Sequence, residues 1–252
     1  MTELNNFAPY DAISVFLSFN YPLTLALICH FVGDFHLQSQ RLADQKRTQW
    51  KALVIHVFLV GLPLLMTYLI LGLKPELGLY FLKIWLLHTA IDYTKYFFNK
   101  KGYIKKTWEK YVFLGDQLLH LLAIYYLYDQ GLVGVIQLDS HFYPILNVIL
   151  FLTLISKPVN IIFKLFFSKY QPDEGGIATK AGAGALIGQL ERLVMGIFLI
   201  WGQYAAIGLV FTAKSIARFD RISKDQIFAE YYLIGSLFSI ISVLVLYALL
   251  IL

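Results

Sequence analysis

The chain predicts an all-α fold, a polytopic transmembrane helix bundle of about seven membrane segments, and three observations carry that expectation. Its composition is 58% hydrophobic and 16% aromatic with a mean hydropathy of +0.64, more apolar material than a soluble core of this size needs. The apolar residues arrive in runs near the length of about 20 that crosses a bilayer. Between and within these runs the ionisable residues are not scattered: lysines and arginines gather in connections, while histidines and aspartates recur at helical spacing inside the runs.

In order, the runs cover 14–36, 52–73, 77–98, 111–128, 142–166, 186–212 and 230–252. The first is preceded by Asp11 and has neither a basic n-region nor a small-residue cleavage site, so it is expected to stay as a membrane helix and not to be a removable signal peptide. The first four make a four-helix transmembrane front half, residues 1–130. Residues 131–252 make a back half, in which Lys157-Pro158 interrupts the fifth run and two further spans come after it. Proline removes a backbone donor and kinks a helix, and such breaks survive in lipid only where protein or water satisfies the freed groups. That segment is therefore expected to be broken or re-entrant. The connection 169–185, KYQPDEGGIATKAGAGA, is the one with linker character, and it contains no Walker or dinucleotide-binding pattern.

The formal net charge of +5 and pI near 9.1 do not point to nucleic acid, because the basic residues sit in particular connections. Residues 37–51 carry Arg41, Lys46, Arg47 and Lys51 against Asp44; residues 99–110 carry Lys100, Lys101, Lys105, Lys106 and Lys110 against Glu109. The positive-inside bias puts both in the cytoplasm and the N-terminus outside, with anionic lipid headgroups as natural partners. The acidic 129–141 connection, with Asp129 and Asp139, then falls outside as required. The basic 213–229 connection does not fit this count, which is a second reason to suspect the fifth segment. The lone Cys29 excludes an internal disulfide and a cysteine-rich zinc motif.

Ionisable residues inside apolar spans are expensive and mark functional sites. HFVGDFHLQ places His30, Asp34 and Gln38 four apart on one helix face; HTAIDYTKYFFN does the same with His88, Asp92, Lys95 and Asn99; GDQLLH sets Asp116 and His120 in the reverse order along a span of opposite direction. Antiparallel helices with inverted orders put like residues at like depths. Asp34, His56, Asp92 and Asp116 each lie within about two turns of a basic connection, and His30, His88 and His120 about a turn deeper. A layer of carboxylates beside a layer of imidazoles, from four helices, is the arrangement from which bundles assemble metal sites.

Three chemistries remain open. His30, Asp34, His56, His88, Asp92, Asp116 and His120 offer nitrogen and oxygen ligands for a divalent transition metal of zinc, manganese or iron type. The same residues are compatible with a hydrogen-bonded structural network, or with a proton or ion pathway. His36 and His141 fall outside the pattern near span ends and read as interfacial. In the back half Gln189, Glu191, Arg192, Gln203, Lys214, Ser215 and Arg218 form a second polar set, in which Glu191 and Arg192, being adjacent, need partners elsewhere; Lys157, Asn160 and Lys164 share a face that offers Glu191 a countercharge.

The runs HFVGDFHLQSQRLADQK…H, HTAIDYTK and GDQLLH, over about residues 20–125, with the closing LERLV…FTAKSIARF…EYYLIGSLFS, resemble the bacterial membrane family called domain of unknown function 3307, DUF3307. The resemblance implies a multi-pass protein of the bacterial cytoplasmic membrane and supplies no activity. On spacing alone the expected function is a membrane-embedded metal-binding protein, with a metal-dependent hydrolase or transferase acting on a lipid or phosphorylated small molecule as the catalytic form. There Asp34, Asp92 and Asp116 serve as base or ligand and Lys95 as the oxyanion or phosphate partner. An ion or small-molecule transporter, or a ligand-sensing protein, uses the same cluster in the alternative reading.

Overall fold

A computed structural model of the chain describes residues 11–130, 143–172 and 182–252, and among these every regular element is helical. In chain order they are α1 (Asp11–Phe19), α2 (Tyr21–Phe31), a π turn (Val32–His36), α3 (Gln40–Gln45), α4 (Trp50–Ile70), α5 (Pro75–Lys100), α6 (Glu109–Asp129), α7 (Tyr143–Ile155), α8 (Lys157–Phe167), α9 (Ala183–Ile200), α10 (Tyr204–Ala217), α11 (Phe219–Lys224) and α12 (Gln226–Leu250).

Among the described residues four stretches are long and apolar enough to cross a membrane: α4, Pro144–Tyr170 running through α7 and α8, α9, and α12. The bent pair Ile13–Phe19 and Tyr21–His36, whose axes meet at 101°, makes a fifth if it is one broken span. The expected count of about seven is not supported, for two physical reasons. Helices α5 and α6 have the length, at 26 and 21 residues, but α5 carries Lys83, Asp92 and Lys95 and α6 carries Asp116 and His120 within their bodies, which dilutes their apolar content. The run 186–212 is not continuous: α9 stops at Ile200, and Gly202, at φ 68°, takes the left-handed conformation that glycine adopts without steric cost. Gln203, expected within a span, lies at this break, and α10, with 14 residues, is shorter than a crossing.

The fifth segment is interrupted and still long enough to cross. Its helix breaks at Ser156, one residue before Lys157-Pro158, yet Pro144–Tyr170 continues as one apolar stretch of 27 residues. Pro158 sits in the first turn of α8, where no backbone donor is required. The sharp bend falls instead at Asn20, ahead of Tyr21-Pro22.

Two compact units result, Phe16–Leu150 and Phe151–Leu252 together with Met1–Val15. In the second unit the buried guanidinium of Arg192 closes the α7–α8 break: Nε donates to the Ile155 carbonyl at 2.6 Å, Nη2 to the Ser156 carbonyl at 3.1 Å, and Nη1 to Ser239 Oγ at 3.4 Å. Glu191 takes its countercharge from Lys214 Nζ at 2.8 Å, where the sequence suggested the α8 face.

In the first unit α4 packs on α2, the π turn and α5, and α6 packs on α2 and α5. The contact between the π turn and α4 depends on Gly33, where a Cβ would stand 2.8 Å from Val60 Cα. Trp85 Nε1 donates to the Val57 carbonyl at 2.8 Å and ties α5 to α4. Arg47 pairs with Glu109, so the two basic connections expected on one side of the membrane meet at one end of this unit.

Candidate metal centre

Four of the helical elements in the first unit each send a histidine to a common interior: α2 supplies His30, α4 His56, α5 His88 and α6 His120. All four are buried to 3% exposure or less, and Asp34, Asp92 and Asp116 are buried beside them. His88 is central: its ring centroid lies 4.2 Å from that of His120, 5.6 Å from His30 and 5.7 Å from His56.

Asp34 reaches this interior from the π turn, whose Leu37 N–H donates to the Val32 carbonyl at 2.9 Å, five residues back. A π turn inside a helix is rare and recurs at functional sites. Here it carries Gly33 and Asp34 against α4, so the close approach at Val60 sets Asp34 Oδ1 at 3.3 Å from His56 Nε2. The chain leaves the helix after His36, so Gln38 does not extend the expected His30/Asp34 stripe.

Several ligand-type atoms converge on His56 Nε2. Asp92 Oδ2 lies at 2.8 Å, Asp34 Oδ1 at 3.3 Å and His88 Nε2 at 3.4 Å, while His88 Nε2 and Asp92 Oδ2 are 3.6 Å apart. Around a tetrahedral zinc with bonds of 2.0–2.2 Å, ligand atoms stand about 3.3–3.6 Å from one another. Three of the four observed separations fall in that range, and His56–Asp92 is shorter.

One face of this set is held by a residue that sequence reasoning assigned only to a basic connection. Lys46, immediately after α3, turns inward and puts Nζ 2.8 Å from His56 Nε2, 3.3 Å from Asp92 Oδ2 and 3.4 Å from Asp34 Oδ1. An ammonium has three donors and no acceptor, and here it meets three acceptors. Burial disfavours its charge, but the carboxylates of Asp34, Asp92 and Asp116 outweigh that and hold its pKa above the ordinary lysine value. His56 then accepts at Nε2, and its Nδ1 is buried without a partner among the described residues.

His120 is oriented from its own helix. Nδ1 donates to the Asp116 carbonyl one turn earlier at 2.7 Å, since a carbonyl can only accept, and this fixes the tautomer that leaves the Nε2 lone pair bare. That nitrogen is buried with no partner among the described residues. A cavity of about 10 Å³, lined by Ile84, His88, His120, Ala123 and Ile124, adjoins it, with room for little more than one water. His88, Asp92 and His120 form a second set whose ligand atoms lie within 4.8 Å of one another, as do those of Asp34, His56 and His88.

Gln117, not singled out in the sequence, links two of the predicted residues. Its Nε2 donates to Asp34 Oδ2 at 2.7 Å, so its Oε1 is the acceptor and His30 Nε2, at 3.2 Å, carries the proton. His30 thus lies among the imidazoles with Nε2 turned to an amide. Asp116 Oδ2 is 2.6 Å from Lys95 Nζ, and Asn99 Nδ2 donates to the Lys95 carbonyl at 2.9 Å. The structure therefore gathers Asp34, His56, His88, Asp92 and His120 into ligand-like proximity and pairs Asp116 with Lys95 beside them. His36 is half-buried at the end of the π turn, and His141 lies outside the described residues. The signal for Lys46 and Gln117 was present only in their neighbours: Lys46 lies ten residues before His56, and Gln117 adjoins Asp116.

The family described as Protein of unknown function (DUF3307) matches residues 23–149, the stretch that contains every residue of this cluster. No curated protein and no solved structure matches the chain.

Proposed function

Taking as premise that the chain belongs to the DUF3307 family, we propose that it is a membrane-embedded ion-binding protein whose centre takes a divalent transition metal on Asp34, His56, His88 and Asp92, with His120 beside it. The carrying observation is the convergence on His56 Nε2. A ring nitrogen has one directed site, either a proton or a lone pair, yet three further ligand-type atoms stand within 3.4 Å of this one. The Lys46 ammonium serves three of these four atoms, at 2.8, 3.3 and 3.4 Å, and a single divalent cation placed among them can serve all four. Mixed imidazole and carboxylate donors suit zinc, manganese or iron.

Between catalysis and ion handling, the enclosure favours the second. The ligand atoms are buried, the adjoining cavity holds about one water, and Lys95 is engaged by Asp116, so a hydrolase acting on a lipid or phosphorylated substrate would need the centre to open first. We therefore read the cluster as part of an ion transporter or ion sensor in a bacterial cytoplasmic membrane, with the two basic connections on the cytoplasmic side. The test is metal analysis of detergent-purified protein by inductively coupled plasma mass spectrometry. The parent should carry near-stoichiometric metal, and His56→Ala and Asp92→Asn should each lose it; metal-free parent protein that does not take up zinc, manganese or iron sinks the reading. Ion flux in proteoliposomes then separates transport from sensing.

A further inference from the structure

Resting on the ion-binding reading, the geometry points to a specific regulator of the same centre: we propose that the ammonium of Lys46 is a tethered cation that competes with the metal for Asp34, His56 and Asp92, and that metal binding expels it and frees the α3 segment.

Two observations support the exchange. Lys46 Nζ faces the same three atoms that would coordinate the ion, at 2.8, 3.3 and 3.4 Å. A metal bonded to those atoms would sit close against the ammonium, two cations in a buried space with nothing between them, so the two occupants exclude each other. The second is mechanical: α3 has six residues and none is buried, its side-chain bonds are local, Leu42 N–H donating to Ser39 Oγ and Gln40 Nε2 to Asp44 Oδ1, the following Arg47 makes only an exposed pair with Glu109, and Lys46 reaches the interior. Withdrawing one side chain removes its deepest anchor without unpacking a core.

Occupancy of the buried centre would thereby be reported at the surface that carries the basic connections, as release of residues 39–47. In a membrane this couples a bound ion to a surface available to a partner or to the next step of a transport cycle.

The experiment is a zinc titration of the full-length protein in detergent, comparing the parent with Lys46→Gln, together with hydrogen–deuterium exchange of residues 39–47 in the parent with and without saturating zinc. If Lys46 occupies the centre more than nine-tenths of the time, Lys46→Gln should bind zinc about tenfold or more tightly. Exchange in the α3 segment of the parent should speed up when zinc binds. Equal or weaker zinc binding by Lys46→Gln, with the parent binding normally, overturns the competitor and leaves the ion centre intact. Zinc binding to neither protein overturns the ion-binding reading and this proposal with it. If Lys46→Gln does not fold, the parent decides alone: bound zinc with unchanged or slower exchange at 39–47 overturns the proposal.

Discussion

Lys95 Nζ lies 2.6 Å from Asp116 Oδ2, joining α5 to α6. The carboxylate is buried and the ammonium partly exposed, so the pair is held on its acidic side. Removing the lysine strands a buried charge, which costs about 3–5 kcal/mol where both partners are buried and toward the low end of that here. Lys95→Met should therefore lower thermal stability by more than Lys95→Met combined with Asp116→Asn. A double mutant no better than Lys95→Met would show that the charge on Asp116 is satisfied elsewhere.

The same pairing sets Asp116 apart from the proposed ion ligands. Asp116→Asn should weaken the fold while metal content stays near that of the parent, whereas His88→Ala, which removes the residue common to both ligand sets, should drop it severely. Gln117→Leu should give an intermediate loss, about 10–100-fold in affinity, as expected for a residue that orients a ligand without binding the ion. Mass spectrometry of the three purified variants, read beside their melting curves, checks the order.

Gly33 gives a prediction through the backbone. A methyl group there meets Val60 Cα at 2.8 Å, and backbone cannot step aside as a flexible side chain can. Gly33→Ala should cost about 1–3 kcal/mol, as overpacking does, and should weaken metal binding because Asp34 is carried on the displaced turn. Full metal affinity in a destabilised Gly33→Ala would mean that Asp34 is not a ligand.

Arg192 tests the independence of the second unit's polar network. It donates to the Ile155 carbonyl, which the α7–α8 break leaves without a helical partner, and to the Ser156 carbonyl beside it. Arg192→Met should leave the Ile155 carbonyl buried without this donor, at about 1–3 kcal/mol, while the Ser156 carbonyl keeps the Asn160 N–H at 3.4 Å. Expression and melting temperature should fall with metal content per folded protein unchanged. Metal loss in a folded Arg192→Met would tie its network to the centre.

Much of this centre is legible in the residues alone, because acids and histidines at intervals of four inside apolar runs have few cheap explanations. Inverting the order in α6 relative to α5 is enough to predict that Asp92 and Asp116, and His88 and His120, lie at matching depths. The residues that escape such reading share one cause: the information is not in their own segment. Lys46 sits among Arg41, Arg47 and Lys51, and nothing in that company marks it as the one that turns inward. Gln117 looks like filler between two conspicuous residues. The span count fails where the site itself makes α5 and α6 polar, and where Gly202 ends a helix that hydropathy alone runs straight through. Tyr21-Pro22 does announce the 101° bend, but a proline in a first turn is also how an ordinary helix begins.

The π turn at Val32–His36 makes the arrangement sensitive to chain length as well as to chemistry. It holds one residue more than an α-helical turn, and each residue added to or taken from a helix rotates the remainder by about 100°. Loss of the Val32 or Gly33 codon would let the segment close into an ordinary helix, turning Asp34 relative to His30 and away from its approach to α4 while every ligand remained encoded. A protein so shortened would look intact in an alignment of its functional residues and be unable to assemble them.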